Sequence, residues 1–428
     1  MEATPQPPVG RNIFLRNPGW PSYHAILRIA RLDHALVIRV EPMRSGLGGA
    51  HLWRLWLSQP IIGATPSASA APSGSPVMLR SLSDSLSGAR WSARRIVKVI
   101  SSWDGWLSMA SDDARVREVR LWSSGLLADL PHCIGTGVVA WQDGWYSSVP
   151  SPTGERDWKT RSALLLRDET TRLWQRPLRT PPGHAPAAIT TLLDDLARLH
   201  SRYWNDPRLD DAHAVAIGLT PLWATLLLAS PATVATRLAL GDDNLYLPLA
   251  RSGWEAFFAL ADPADAETLQ RAFAEPAPYI AAITALPRTL IHGDVWGPNL
   301  GRLPPTHIAP RCGSRTLLLD WALAAAAPAT FDPLWLCGVW QTLSPQRLLG
   351  AYRARLIRHL AARCVALPAS VWRGLADAGY LRTALTCGEA FGRAAREAPA
   401  GAARRQAEER ARWWAARGAQ AARRLLTL

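Results

Sequence analysis

The sequence predicts an α+β protein in two lobes, a small β-rich N-terminal lobe (residues 1–165) and a larger, mainly helical C-terminal lobe (166–428). Short apolar or alternating runs, which are typical of strands, concentrate before residue 170. Helix-period patterns dominate after it, and two strand-like runs between residues 290 and 321 interrupt them. A chain of 428 residues is also too long for one compact core, which favours two lobes.

A glycine-rich turn in the N-terminal lobe lies between two predicted strands. The strands are the short apolar runs ALVIRV (35–40) and HLWRLWL (51–57). The turn contains Gly46, Gly48 and Gly49, whose backbone N–H groups are candidates to bind phosphate. A glycine turn alone is a weak signal, so its value depends on the residues found elsewhere.

An insertion, further strands and one helix complete this lobe. The Ala-, Ser- and Pro-rich stretch 61–87 has little to bury, so we expect a disordered insertion. RRIVKVIS (94–101) predicts a strand, and residues 114–131 predict a helix that ends near the final proline. Residues 137–148 and 162–170 predict two strands around an Asp-Gly turn.

The net charge of +14 raises the possibility of nucleic-acid binding. Of the 48 basic residues, Lys98 and Lys159 are the two lysines, and the arginines are spread evenly without a run of five like charges. This favours solvated arginines on helix faces over a specific nucleic-acid surface. Net charge is the one observation that supports a nucleic-acid-binding protein.

Cysteine usage and the N-terminus favour a cytoplasmic protein. The five cysteines are far apart and form no CxxC pair, which fits reduced thiols better than disulfides or a zinc site. The N-terminal residues show no basic start followed by an apolar stretch, so we expect no secretion signal. The cysteines are Cys133, Cys312, Cys337, Cys364 and Cys387.

Two segments raise the question of a membrane. Residues 214–236 are uncharged and long enough to span a bilayer, but two prolines divide them, which favours buried helices. The Arg/Ala-rich segment 401–426 fits a solvated packing helix with Trp413 and Trp414 docked better than a membrane-surface or partner-binding helix. We therefore expect no membrane association.

The segment LIHGDVWGPNLG (290–301) contains Asp294 and Asn299, and the later LLLDW contains Asp320. Asp294 follows an apolar pair into a loop, where a carboxylate can accept a hydrogen bond from a substrate hydroxyl and take its proton late. Asn299 offers an amide oxygen and Asp320 a carboxylate, and both are suitable ligands for the hard Mg²⁺ ion. Three such side chains are what a phosphoryl-transfer site requires.

Three further residues add to this motif. His292 is a candidate catalytic residue, and we interpret it as a hydrogen-bonding brace of the loop in preference to a general base. Lys98 lies in the middle of an apolar strand, where a lysine must reach solvent or meet an anion such as an ATP phosphate. Glu118, on the helix that follows, is suitably spaced to pair with Lys98.

Taken together, the IVKVI strand, REVRLW, ALLLRDE, HGDVWGPN and LLLDW resemble the aminoglycoside phosphotransferase and choline kinase group of the protein-kinase-like fold. The resemblance covers roughly residues 35–340. It implies that Asp294 is the catalytic base, that Asn299 and Asp320 bind Mg²⁺, and that Lys98 contacts the α and β phosphates of ATP.

The resemblance also assigns residues around the nucleotide and the loop. Leu165, Leu166 and Arg167 would border adenine, mainly through backbone groups. Asp332 falls where the group often has an acidic residue leading into a helix, and its expected role is to brace the catalytic loop.

The leading hypothesis is an ATP- and Mg²⁺-dependent kinase that transfers the γ-phosphoryl group to a hydroxyl of a small molecule. The alternative is a nucleotide-binding regulatory protein of the same fold with little turnover, which the imperfect glycine turn favours and the intact Asp294, Asn299 and Asp320 disfavour. The fold resemblance does not select the acceptor. The acceptor and the oligomeric state both stay open.

Overall fold

The computed structural model describes residues 37–43, 51–57, 94–101, 116–150, 156–174, 185–210, 218–303 and 315–427. The predicted glycine turn with Gly46, Gly48 and Gly49 and the predicted insertion 61–87 lie outside these residues. The described residues divide into two compact units. Unit 1 comprises those up to Arg172 together with those from Leu303 to Leu319, and unit 2 comprises those from Leu173 to Arg302 and from Asp320 onward.

Strands and helices follow one another along the described residues. The strands are β1 (Val37–Met43), β2 (His51–Leu57), β3 (Arg94–Ser101), β4 (Ile134–Gly135), β5 (Val138–Pro150), β6 (Arg156–Arg167), β7 (Thr289–Ile291), β8 (Leu300–Leu303), β9 (Arg315–Leu318) and β10 (Ala325–Ala327). The helices are α1 (Arg117–Ser123), α2 (Ala185–Arg202), α3 (Leu219–Leu227), α4 (Pro231–Ala239), α5 (Tyr246–Leu260), α6 (Pro263–Ala274), α7 (Ala277–Thr284), α8 (Phe331–Val339), α9 (Pro345–Ala361), α10 (Ala369–Glu397) and α11 (Ala402–Leu425). This order confirms the predicted fold class, an N-terminal antiparallel sheet followed by a largely helical C-terminal part.

The main sheet of unit 1 has the strand order β1-β2-β3-β6-β5, and each neighbouring pair is antiparallel. Strand β3 lies in its centre, and Lys98 is opposite Leu52 on one side and Leu164 on the other. Since side chains alternate between the two faces of a strand, Lys98 points away from the face that carries the buried Val97 and Val99. A separate parallel pair joins β4 to β9.

Two sequence predictions for unit 1 are wrong in detail. The predicted Asp-Gly turn at Asp143–Gly144 is part of the long strand β5, and the ladder with β6 shifts register between Gln142 and Trp145. A register shift accommodates the turn-forming residues as a bulge within a continuous strand. The helix predicted over 114–131 is also shorter, because α1 ends at Ser123 and a short 3₁₀ turn follows at Leu127–Asp129.

The helices of unit 2 begin where local sequence favours a start. Helices α4, α6 and α9 each have a proline at the first position, where its missing N–H costs nothing. Each is preceded by a capping side chain, Ser230, Asp262 or Ser344, which accepts a hydrogen bond from a backbone N–H of the first turn.

Helix α10 forms the centre of the unit 2 core. It packs on α5, on α11 and on α8. Side chains at Gly253 or Gly392 would collide with the backbone of the facing helix, so α5 and α10 approach at backbone contact. On its other side, Phe391 stacks on Trp414 of α11 with ring centroids 5.3 Å apart. The predicted packing role of the Arg/Ala-rich segment agrees with this burial of α11.

No described helix is long and apolar enough to cross a membrane. In the segment 214–236, the described part forms two short helices, α3 and α4, that meet at Ser230 and Pro231. Four of the cysteines are described, and all four are free thiols.

Candidate active site

The loop that carries Asp294 leaves a buried strand at a tightly constrained turn. Strand β7 pairs antiparallel with β10, with Ile291 opposite Ala325. Two residues later, Gly293 has a φ of +83°, in the left-handed region that favours glycine. A Cβ atom at this position would also collide with the carbonyl oxygen of Leu323. The position therefore requires glycine for both conformation and space.

Asp332 binds the backbone of this loop. Its side chain is fully buried at the start of α8 and accepts two hydrogen bonds, from the backbone N–H of His292 to Oδ2 and from that of Gly293 to Oδ1, each 2.8 Å long. The His292 and Gly293 N–H groups lie beyond the end of strand β7, and these bonds give both buried donors an acceptor. The geometry agrees with the predicted bracing role of Asp332.

A buried histidine and tyrosine extend this network and were not predicted. His200 Nε2 lies 3.1 Å from Asp332 Oδ2, and His200 Nδ1 lies 2.5 Å from the hydroxyl of Tyr352. Burial raises the pKa of Asp332, but the hydrogen bond from His200 and the nearby His200 and His292 rings outweigh it and leave that pKa below its usual value. The network keeps Asp332 ionised as an acceptor for the loop.

His292 takes part as a brace within its own loop. Its Nδ1 atom accepts a hydrogen bond of 3.2 Å from the backbone N–H of Asp294. The ring is buried and lies 4.7 Å, between centroids, from the ring of Trp321. A ring nitrogen that accepts from the adjacent backbone is engaged in positioning, which favours the bracing interpretation over a general base.

Asn299 contacts Asp294 directly, and the charge of Asp320, which follows strand β9, acts on the same carboxylate. The Asn299 amide nitrogen donates to Asp294 Oδ2 at 2.9 Å and to the Asp294 carbonyl at 3.1 Å. Burial and the negative charge of Asp320 raise the pKa of Asp294 to about 7, against the opposing effects of the Arg382 charge and the Asn299 hydrogen bond. The charge of Asp320 therefore disfavours ionisation of Asp294 in the absence of a cation.

The donor set fits a hard cation. Asp320 has a left-handed φ of +61°, unusual for a residue other than glycine, and its Oδ1 accepts from the Ala322 N–H at 3.4 Å. Because the Asn299 nitrogen is bound to Asp294, its amide oxygen is the atom that could bind a metal. Among the described residues, no group of three or more His, Cys, Asp and Glu side chains is suitable for holding a metal ion. Mg²⁺ needs no such group, since it takes one or two protein oxygens and completes its shell with phosphates and water.

Arg382 was also not predicted. It projects from α10 and donates to the carbonyls of Gly293, at 2.7 Å, and Phe331, at 3.2 Å. Its partners precede Asp294 and Asp332 directly in sequence. An arginine whose acceptors are main-chain carbonyls leaves no sequence signal, because any residue type supplies a carbonyl.

In unit 1, Lys98 and Glu118 form a buried ion pair. Lys98 Nζ lies 2.6 Å from Glu118 Oε2, and 10% and 2% of the two side chains are exposed. Strand β3 contributes the lysine and helix α1 the glutamate, as the sequence predicts. Such a pair holds the ammonium group in one direction, although a phosphate contact remains a prediction.

The residues predicted to border adenine lie at the end of β6. Leu165 and Leu166 are buried between β3 and β5, and the Arg167 N–H donates to the Gly137 carbonyl at 2.8 Å. The following residues form ion pairs, Asp168 with Arg54 at 2.9 Å and Glu169 with the Arg167 side chain at 2.9 Å. An adenine contact by these groups stays a prediction.

Solved aminoglycoside phosphotransferases and choline kinases match most of the chain. The GDP complex of aminoglycoside 2′-phosphotransferase IIIa is 14% identical, with 95% of this chain and 97% of that chain covered and a TM-score of 0.35. The GDP and kanamycin complex of APH(2″)-IIIa is 14% identical, with coverage of 86% and 95% and a TM-score of 0.36. Choline kinase from Cryptosporidium parvum is 12% identical, with coverage of 89% and 88% and a TM-score of 0.41.

No protein-family model matches the chain, and no curated protein matches its sequence. Because identity is 12–14% and the TM-scores are below 0.5, the functions of residues in these structures cannot be assigned to residues of this chain. The roles proposed below therefore rest on the contacts in this chain.

Proposed function

We propose that this protein is an ATP- and Mg²⁺-dependent phosphotransferase that moves the γ-phosphoryl group to a hydroxyl of a small molecule. The observation that carries the proposal is the Asn299–Asp294 hydrogen bond on a loop fixed by Asp332, together with the charge of Asp320, after strand β9, acting on Asp294. Two carboxylates that repel each other are stable together when a cation lies between or beside them. Magnesium phosphates supply that cation and the group to be transferred.

Each residue has a distinct role in the proposed reaction. Asp294 accepts a hydrogen bond from the acceptor hydroxyl, orients it, and takes its proton late as the phosphoryl group is transferred. Asn299 and Asp320 would supply oxygen ligands to Mg²⁺, and the bound ion would neutralise charge on the phosphates. His292 holds the loop, and Asp332 holds it from α8.

Unit 1 contributes the nucleotide contacts in this proposal. The Lys98–Glu118 pair supports it because a buried ammonium group with its direction fixed by a carboxylate is suited to bind the α and β phosphates. Leu165, Leu166 and Arg167 are proposed to border adenine. Catalysis then consists of positioning and charge neutralisation, with no covalent intermediate on the protein.

A cationic acceptor could bind to the face of a tryptophan ring, but three tryptophans of the helical part of the chain are core residues. Trp204, Trp223 and Trp254 are buried, and Trp254 also donates its indole N–H to the Ala229 carbonyl at 2.7 Å. Their buried rings give no indication of the acceptor, so the acceptor class has to be found by assay.

The test is the release of ADP with Mg-ATP across a panel of hydroxyl compounds that includes kanamycin and choline, with GTP as a second donor. An acceptor-dependent release that Asp294→Asn lowers by at least about 10²-fold supports the proposal. Nucleotide binding without acceptor-dependent release across the panel would instead favour the regulatory alternative. Turnover by Asp294→Asn at the wild-type rate would refute the assignment of the base.

A further inference from the structure

Arg382 lies within helix α10 with 1% of its surface exposed. Within the described part of the chain, its hydrogen-bond acceptors are the Gly293 and Phe331 carbonyls, at 2.7 and 3.2 Å. Its guanidinium carbon also lies 5.1 Å from the Phe331 ring centroid and 5.3 Å from that of Trp335. The side chain thus spans the segment that precedes Asp294 and the start of α8.

Transfer of a guanidinium group from water to the protein interior costs free energy, which favourable contacts in the folded state must offset. Cation–π contacts with two rings supply part of it. The negative charges of Asp332 and Asp294 also favour the charged form of Arg382. The cation therefore sits beside the two carboxylates on which the loop depends, although it bonds to neither in the described structure.

The peptide group between Gly293 and Asp294 is held at both ends. Its carbonyl oxygen accepts from Arg382, and its N–H donates to His292 Nδ1 at 3.2 Å. The preceding peptide N–H, that of Gly293, is bound by Asp332. Both peptide planes that flank the Gly293 Cα atom are therefore fixed, in a conformation that glycine alone would leave flexible.

We propose that Arg382 is a positioning residue that fixes the peptide plane preceding Asp294 and thereby aims its carboxylate at the acceptor hydroxyl. The catalytic part of this inference rests on the proposed function, whereas the clamp itself does not. Rotation of this plane moves the Asp294 side chain directly, since its Cα atom is part of the same peptide unit. A displacement of about 1 Å at a catalytic group costs on the order of 10²-fold in rate.

The kinetic test compares Arg382→Met with Leu385→Ala. Leu385 is a buried residue of the same helix, so its truncation leaves a core cavity without removing a bond to the loop. With the amount of folded enzyme equalised, Arg382→Met should lower kcat about 100-fold with KM for ATP within about twofold of wild type, and Leu385→Ala should retain wild-type kcat. Equal losses in both variants would show that Arg382 acts through stability and overturn the proposal.

Arg382→Lys separates the clamp from the charge. A lysine keeps the positive charge near Asp294 but presents one compact ammonium group instead of a planar fork. If bridging both carbonyls matters, this variant should retain roughly a tenth of wild-type kcat or less. Full activity of Arg382→Lys would overturn the two-carbonyl clamp.

Amide hydrogen exchange tests the clamp without any turnover. Mass spectrometry of the peptide that covers residues 288–300 should show about tenfold or greater loss of protection in Arg382→Met, with no such loss in Leu385→Ala. Unchanged protection in Arg382→Met would overturn the clamp. Absence of turnover in the wild type would overturn the proposed function alone, because the exchange result would still decide the clamp.

Discussion

Asp294 is expected to lower the stability of the metal-free protein, and its removal should raise it. Burial and Asp320 raise the Asp294 pKa from 3.8 to about 7. Each tenfold change in proton affinity corresponds to about 1.4 kcal/mol, so an ionised Asp294 costs on the order of 4 kcal/mol. In Asp294→Asn, an amide oxygen replaces the carboxylate, accepts from the Asn299 amide nitrogen and carries no charge.

The sign of the pH dependence follows from the raised pKa. Between pH 3.8 and about 7 the folded state keeps a proton on Asp294 that the unfolded state has lost, so wild-type stability falls as pH rises. Above about pH 7 the penalty is complete. The stability gain of Asp294→Asn should therefore be small near pH 4 and reach a few kcal/mol at pH 8.

Urea unfolding of the two proteins in EDTA at pH 5 and pH 8 measures this difference. Asp332→Asn is the control of opposite sign, because the Asp332 pKa lies below its usual value and its ionised form stabilises the loop. That variant should lose stability by nearly the same amount at pH 5 and pH 8, because both values lie above the Asp332 pKa in the unfolded and the folded state. A gain in Asp294→Asn that is absent, or equal at the two pH values, would refute the account of Asp294.

Three further predictions concern the pair in unit 1, the metal and the turn. Glu118→Gln should destabilise the protein by about 3–5 kcal/mol because it leaves the Lys98 charge buried without its carboxylate, and urea unfolding measures this; no loss would contradict a buried pair. Asn299→Ala should raise the Mg²⁺ concentration for half-maximal turnover by about 10–100-fold, whereas an unchanged Mg²⁺ titration would exclude it as a ligand. Gly293→Ala should lower the thermal unfolding midpoint more than Gly125→Ala does. Both glycines have positive φ, but an added Cβ meets open space at Gly125 and the Leu323 carbonyl at Gly293. Equal losses in the two variants would mean that the collision with Leu323 is relieved.

Local sequence patterns were informative for two of the contacts between predicted site residues. Asp294 and Asn299 share one short loop, so their spacing alone predicted that they meet, and the Asn299–Asp294 bond agrees with it. The Lys98–Glu118 pair was predicted from an out-of-place lysine in an apolar strand. At Asp143–Gly144 the same kind of local reasoning was wrong, because pairing with β6 overrides the turn preference of the dipeptide.

Residues that act from a distance were not predicted. His200 lies at the end of an amphipathic helix, and its position within the apolar frame of Leu196 and Leu199 is the one signal that a buried partner is needed. Arg382 resembles any of the many arginines in this chain. The sequence around His200 does not indicate a contact with Asp332, and that around Arg382 does not indicate a contact with Gly293. Tertiary packing alone brings these residues together.

The bonds that hold the loop carrying Asp294 join segments that lie far apart along the chain. His200, Gly293, Asp332 and Arg382 lie far apart in sequence, so closing these contacts costs loop entropy that local helices do not. On the ribosome, the bond from Arg382 to the Gly293 carbonyl cannot form until α10 has emerged and docked. A chain released before Arg382 can therefore contain most of its helices and every predicted catalytic residue and still lack this contact to the loop.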